Sequence, residues 1–209
     1  MNGYQQIIDT LRKAYNREEA ERRDQAQKEA WKVTEREQFL ALLQQEGKSN
    51  LLEIGAGTGT DSLFFQENGL DVISTDLSPD MVNLCREKGL NAYVMDFLSL
   101  DFPVGSFDAI YALNCLLHVP THDLPVVLQK LCTLLRPDGL FFLCTYGGIE
   151  QEGVYENDWH DPPRFFAHHT DEFMLRATAT FFDLVSFKAI PLQDNKWHVQ
   201  SMVLRAKKG

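Results

Sequence analysis

One stretch of the chain constrains the possible fold more than any other. Residues 51–59 read LLEIGAGTG, an apolar run that passes directly into three glycines spaced two residues apart. Such a run is typical of a strand that is buried on both faces of a parallel sheet. Residues 60–68 then show the apolar stripe of a helix. The stretch therefore predicts strand, glycine turn and helix, in which the glycines let the backbone approach a ligand where a Cβ would clash.

The glycine turn alone is also compatible with an ordinary tight βα loop, but an acidic residue supports a ligand site. Asp76 ends the next predicted strand, 21 residues after Gly55, where a carboxylate would meet ribose hydroxyls. A dinucleotide-binding fingerprint expects a small residue or glycine three positions after Gly57. Thr60 occupies that position, and the third glycine comes one residue early, at Gly59. This spacing disfavours a nicotinamide-dependent oxidoreductase.

Composition limits the classes of protein that remain. The 209 residues suffice for one domain with a sizeable core, and the formal net charge of −10 disfavours binding to a phosphate backbone. No apolar run approaches the ~18 residues of a membrane span, and the N-terminus lacks a signal-peptide pattern, so we expect a cytoplasmic protein without membrane contact. The scattered cysteines favour buried free thiols over disulfides or a zinc site. They are Cys85, Cys115, Cys132 and Cys144.

The chain divides into two parts. Residues 1–46 predict a helical N-terminal extension of two amphipathic helices, joined by a mobile charged stretch at residues 16–29. That stretch is either a solvated face or a lid that closes over a ligand. Residues 47–209 alternate regularly between predicted strands and helices, which is the pattern of an α/β domain.

Seven strands are predicted in the second part, the last two forming an antiparallel hairpin. A turn is expected at residues 136–139 and a long functional loop at residues 147–169. The strands are placed at residues 51–54, 72–75, 92–95, 107–113, 140–146, 182–190 and 197–206.

The spacing Glu-x-Gly-x-Gly-x-Gly, which begins at Glu53, resembles the first motif of the class I S-adenosylmethionine-dependent methyltransferases. Further similar motifs lie at residues 75–78 with Met81, at residues 95–97 and at residues 134–140. The resemblance covers residues 50–206. It implies a doubly wound seven-stranded sheet of order 3-2-1-4-5-7-6, with the last strand antiparallel and helices on both faces.

The resemblance also implies which residues hold the cofactor S-adenosylmethionine. Asp76 would bind the ribose hydroxyls, and Asp96 would accept from the adenine amino group. Each acid has a simpler alternative, because Asp76 could cap a helix and Asp96 could be a turn residue. The full implied set is Glu53, Gly55, Ala56, Gly57, Thr58, Gly59, Asp76, Leu77, Met81, Asp96, Phe97, Asn114, Cys115 and His118.

The implied reaction is direct displacement by an N, O, S or C nucleophile of a small molecule on the sulfonium methyl group. Candidate catalytic residues are Tyr15, His118 and His198, although Tyr15 could be a packing residue and His118 a buried core histidine. His198 is expected at the active rim because an antiparallel last strand begins there. No metal-ligand cluster is evident. A monomer or homodimer is expected, and a non-catalytic cofactor-binding regulatory protein remains an alternative.

Overall fold

The computed structural model describes residues 3–192 and 197–207, and the predicted hairpin connection at residues 191–196 lies partly outside them. No helix in the described ranges is both long and apolar enough to cross a membrane. The helices of this part of the chain are α1 (Gly3–Ala14), α2 (Arg17–Asp24), α3 (Ala30–Gln45), α4 (Thr60–Glu67), α5 (Pro79–Glu87), α6 (Leu124–Leu134) and α7 (Asp171–Ala179). The strands are β1 (Asn50–Ile54), β2 (Asp71–Asp76), β3 (Asn91–Val94), β4 (Phe107–Leu113), β5 (Leu135–Gly147), β6 (Gln151–Val154), β7 (Phe165–His168), β8 (Phe182–Pro191) and β9 (His198–Ala206).

Seven of these strands form the central sheet, in the order β3-β2-β1-β4-β5-β9-β8. Strands β1 to β5 run parallel, whereas β9 is antiparallel to both of its neighbours. This confirms the predicted order, because β8 and β9 are the sixth and seventh strands of the prediction. The strand order reverses between β1 and β4, and open α/β sheets bind ligands beside the carboxyl ends of the strands at that point.

Apolar side chains on both faces of the sheet hold the helices in place. Phe141 and Phe142 are consecutive in β5 and belong to two different core clusters, because successive side chains of a strand point to opposite faces. One cluster contains Leu128 of α6, and the other contains Phe39 of α3. The helices therefore cover both faces, as the doubly wound prediction requires.

The N-terminal extension differs from the prediction, which placed a mobile charged stretch between two helices. The first half of that stretch is helix α2, whose Asn16 cap accepts a hydrogen bond from Glu19 N at 3.1 Å. Glu19 is buried and forms ion pairs with Arg22 and Arg23. The prediction is wrong here because local capping and ion pairs stabilise a helix that has almost no apolar residues.

Two other segments also differ from the prediction. The expected loop at residues 147–169 contains a small separate sheet, in which β6 pairs with β7 antiparallel. The expected turn at residues 136–139 lies within β5, where the pairing with β4 jumps from Leu135 to Leu140. Asp138 lies where this pairing is interrupted, and its φ of 61° is a turn-like backbone conformation within β5.

Candidate functional site

A cavity of about 260 Å³ lies beside the carboxyl ends of β1, β2 and β4, under the N-terminal helices. It therefore occupies the place that the strand order favours for a ligand. The lining includes the glycine turn, the segments that follow β2 and β4, and the segment after α2. The lining residues are Tyr15, Arg23, Ala26, Gln27, Lys28, Glu29, Lys32, Glu53, Gly55, Ala56, Gly57, Thr58, Thr60, Asp61, Asp76, Leu77, Met81, Phe97, Leu113, Asn114, Cys115 and His118.

The three glycines of the turn have left-handed backbones and different surroundings. A Cβ on Gly55 would overlap the Cβ of Cys115, and one on Gly59 would lie 2.5 Å from Leu90 Cδ1. A Cβ on Gly57 would have no atom within 4 Å. Gly55 and Gly59 are therefore required by close packing, whereas Gly57 leaves open space beside the cavity. Gly59 itself does not line the cavity.

Asp76 lies at the end of β2 and braces the glycine turn. Its carboxylate accepts hydrogen bonds from Gly57 N at 2.8 Å and from Ser78 N at 2.9 Å. Burial raises its pKa, while these backbone donors oppose the shift. The cap of helix α5 is Ser78, whose Oγ accepts from Met81 N at 3.3 Å. Asp76 is therefore not the helix cap, and its oxygens have lone pairs left for a ligand hydroxyl.

One end of the cavity is apolar, and Asp96 does not reach it. Leu77, Met81 and Phe97 line this end, whereas Asp96 is absent from the lining. The Asp96 carboxylate instead accepts hydrogen bonds from Leu98 N at 2.9 Å and from the Ser99 hydroxyl at 2.7 Å. The carboxylate is held in the local turn after β3, and the structure gives no support to its predicted contact with an adenine.

The cavity wall also carries two buried carboxyl groups, Glu53 and Asp61. Asp61 forms ion pairs with Lys28 and, at 2.9 Å, with Arg36. Glu53 accepts a hydrogen bond from the hydroxyl of Ser62. Burial, together with the negative charge of Asp61, raises the pKa of Glu53 to about 8. This carboxyl is therefore mostly protonated at pH 7.

Tyr15 and His118 meet at the cavity wall. His118 Nδ1 lies 2.7 Å from the Phe165 carbonyl oxygen, which can only accept, so we assign the proton to Nδ1. Nε2 then accepts from the Tyr15 hydroxyl at 2.7 Å, and Arg164 donates to the same hydroxyl oxygen at 3.1 Å. Burial lowers the pKa of His118 to about 3, so its imidazole is neutral at pH 7.

The structure does not bring His198 into this cavity. Its Nε2 lies 2.7 Å from the Asp171 carboxylate at the start of α7, and its ring packs where a Cβ of Gly148 would lie. The antiparallel direction of β9 does place His198 opposite Gly147, at the end of β5. The side chain points to α7 from there, which the topology alone did not determine. Its expected contact with an acceptor has no geometric support.

Sequence reasoning offered residues 16–29 as a possible lid but named none of the side chains with which this segment lines the cavity. Lys28 and Lys32 enter the lining through ion pairs with Asp61 and Glu29. Nothing in a polar run of mixed charge distinguishes these residues from a solvated face. The lining residues that the sequence analysis did not name as site residues are Arg23, Ala26, Gln27, Lys28, Glu29, Lys32, Thr60, Asp61 and Leu113.

A doubly wound sheet, a glycine turn at the switch in strand order and a buried acid at the end of β2 are the features with which folds of this class bind nucleoside-containing cofactors. Residues 51–139 match the family model described as "Methyltransferase domain". The matched segment contains the glycine turn, Asp76 and Asp96, and it agrees with the methyltransferase resemblance that these motifs indicated.

Known proteins similar to this chain include enzymes with different acceptors. Phosphoethanolamine N-methyltransferase of Plasmodium falciparum (isolate 3D7) is 29% identical over 54% of this chain and 43% of its own length. The tRNA (carboxymethyluridine(34)-5-O)-methyltransferase alkbh8 of Xenopus tropicalis is 33% identical over 50% of this chain and 16% of its own length. The match to this chain thus spans less than half of each of these curated relatives.

A solved structure shares the fold over the whole chain. The Burkholderia thailandensis 1,6-didemethyltoxoflavin-N1-methyltransferase, crystallised with 1,6-didemethyltoxoflavin and S-adenosylhomocysteine, has a TM-score of 0.75 to this chain. It covers 100% of this chain and 92% of its own, at 22% sequence identity. At that identity the likeness establishes the fold alone.

Proposed function

We propose that this protein binds S-adenosylmethionine in the cavity and transfers its methyl group to a nucleophilic atom of a small molecule. One observation carries the proposal: the glycine turn, Asp76 and an apolar end line a single cavity at the switch in strand order. The bound cofactor supplies an already activated sulfonium methyl group. The protein's tasks are therefore to align the reactants and to exclude water.

The lining suits the parts of such a cofactor. Leu77, Met81 and Phe97 offer an apolar surface for the adenine, and Asp76 can accept from ribose hydroxyls. Asn114 in the same wall is held at φ 52°, and its buried Oδ1 is unpaired in the described part of the chain. Buried acceptors normally have a partner, so this oxygen fits an N–H group of a ligand.

Tyr15 and His118 are proposed to border the reacting end of the site. The neutral imidazole cannot donate through Nε2, and its lone pair is occupied by the Tyr15 hydroxyl. A proton that leaves an acceptor would therefore reach His118 only through Tyr15, or after Tyr15 turns away. Arg164 holds the Tyr15 oxygen and is itself paired with Asp158 at 2.7 Å.

We further propose that residues 1–46 act as a lid over both ligands. Arg12 Nε donates to the carbonyl oxygen of Leu77 at 3.1 Å, and the Ser78 hydroxyl donates to the Tyr15 carbonyl oxygen at 2.6 Å. These contacts tie the extension to the rim of the cofactor cavity. A cavity walled in part by this extension favours a small acceptor, and the net charge of −10 favours it over a nucleic acid.

Calorimetry and a transfer assay together test the proposed function. We expect binding of S-adenosylmethionine and S-adenosylhomocysteine, and no binding of NAD. The protein is then incubated with cofactor carrying a labelled methyl group, together with a small-metabolite extract or, separately, with tRNA. Label in a small metabolite supports the proposal, and label in tRNA alone would reject the proposed acceptor class. Binding without transfer to either would favour the regulatory alternative, whereas binding of NAD alone would reject the cofactor.

A further inference from the structure

We propose that the ammonium group of the bound cofactor's methionyl moiety displaces a proton from Glu53, so that cofactor binding releases close to one proton near neutral pH. The inference rests on the proposed function, because it concerns the same cavity. It adds a property that the fold does not require: the free site would store a proton, and the cofactor would drive it out.

Glu53 is a buried carboxyl group without a cation of its own. It is 3% exposed and lies in the cavity wall at the end of β1. Its Oε2 accepts from the Ser62 hydroxyl, and the Ser74 hydroxyl donates to Ser62 Oγ at 2.6 Å. Within residues 3–192 and 197–207, no ion pair involves Glu53. Two neutral hydroxyls are a weak substitute for a counter-ion in a buried site.

The nearby cations are engaged by a different carboxylate. Lys28 and Arg36 both pair with Asp61, and Asp61 adds a negative charge beside Glu53. Both cations near Glu53 are thus paired with Asp61, and no unpaired cation is found among the described titratable and charged groups around it. They are Asp61 of α4, Lys28, Arg36 of α3, Asp76 of β2, Tyr111 of β4, Cys85 of α5 and Cys115.

A ligand ammonium would supply the missing charge. An opposite charge within about 4–6 Å favours the ionised form of a carboxyl group and lowers its pKa. Glu53, Gly55 and Asn114 all line the cavity, and we place the methionyl moiety beside them. On binding, the O–H bond of the Glu53 carboxyl breaks, the carboxylate pairs with the ammonium, and the proton passes to the solvent buffer.

Calorimetric titration in buffers of different ionisation enthalpy measures the released protons directly. With S-adenosylhomocysteine at pH 7 we expect release of most of one proton per bound ligand, because burial and the charge of Asp61 raise the pKa of Glu53 and keep its carboxyl protonated in the free protein. The number should fall toward zero above pH 8. 5′-Methylthioadenosine carries the nucleoside but lacks the amino-acid group, so it should bind without the release.

Three variants separate Glu53 from other sources of protons. Glu53→Gln should lose the release, and its affinity should not change between pH 6 and 7.5. Ser62→Ala removes a donor that stabilises the carboxylate, so the release should stay near one proton and persist to higher pH. Glu67→Gln, an exposed position on α4, is the matched control and should behave as the wild type. Circular dichroism confirms that each variant is folded.

The possible results distinguish this inference from the proposed function. If S-adenosylhomocysteine binds without releasing a proton, the inference is overturned and the cofactor assignment stands. The inference is equally overturned if 5′-methylthioadenosine releases as much as S-adenosylhomocysteine, or if folded Ser62→Ala binds S-adenosylhomocysteine with no release. If the wild type binds neither cofactor form, both the proposed function and the inference fail.

Discussion

Replacing Asp76 by alanine tests the cofactor site most directly. The carboxylate is buried, braces the turn through Gly57 N and Ser78 N, and has lone pairs left for ribose hydroxyls. Hydrogen bonds to a charged group contribute about 1.5–3 kcal/mol each. Losing one such bond to the cofactor should therefore weaken S-adenosylhomocysteine binding about ten- to a hundredfold.

The comparison with Asp76→Asn separates charge from shape. Asparagine fills the same volume but presents an NH₂ group to one of the two backbone N–H donors, Gly57 N or Ser78 N. We therefore expect Asp76→Asn to lose affinity as well, although the packing around it is preserved. Asp71→Ala, an exposed position at the start of the same strand, should leave the dissociation constant unchanged.

The assay is isothermal titration of S-adenosylhomocysteine at pH 7, with thermal unfolding of each variant recorded in parallel. A folded Asp76→Ala protein with the wild-type dissociation constant would refute the reasoning. It would mean that Asp76 only shapes the turn and that the ribose is held elsewhere in the cavity.

Three further predictions concern packing, pH and the extension. Gly55→Ala should destabilise the protein by about 1–3 kcal/mol more than Gly57→Ala in urea unfolding, because only the former adds a Cβ that overlaps Cys115. His118 is buried with its pKa lowered from 6.5 to about 3, so its contribution to stability is present above pH 6.5 and is lost as the pH falls toward 3. The loss should amount to at most ~1.4 kcal/mol per pH unit and should disappear in His118→Asn. Residues 17–29 should become more protected from hydrogen exchange when S-adenosylhomocysteine binds, because this segment covers the cavity.

Each of these predictions has a result that contradicts it. Equal unfolding free energies for the two glycine variants would show that β1 and the Cys115 loop move apart freely. Parallel stability curves for wild type and His118→Asn between pH 6.5 and 4.5 would show that the imidazole is protonated in the folded state. Unchanged exchange of residues 17–29 would make the extension a fixed packing layer and not a lid.

The sequence by itself determined the sheet and brought several of the predicted cofactor residues to one cavity, where their contacts with a cofactor stay a prediction. Buried strands and glycine turns are local patterns, and parallel strands with crossover helices permit few arrangements, so the strand order could be predicted. The same locality placed Gly55, Gly57 and Asp76 correctly beside one cavity. The positions of these three residues depend on a glycine turn and on the end of a strand. Residue type and spacing in the sequence specify both features.

Only the tertiary structure decided which polar side chains face the cavity. Lys28 enters the wall because it forms an ion pair with Asp61. The two residues are 33 positions apart in the chain, so no local sequence pattern encodes this ion pair. Asp96 and His198 were predicted from their strand ends, yet a local turn binds the first and Asp171 binds the second. A strand end fixes where a backbone lies to within a residue, whereas the direction of a polar side chain depends on whichever partner the fold brings within hydrogen-bonding distance.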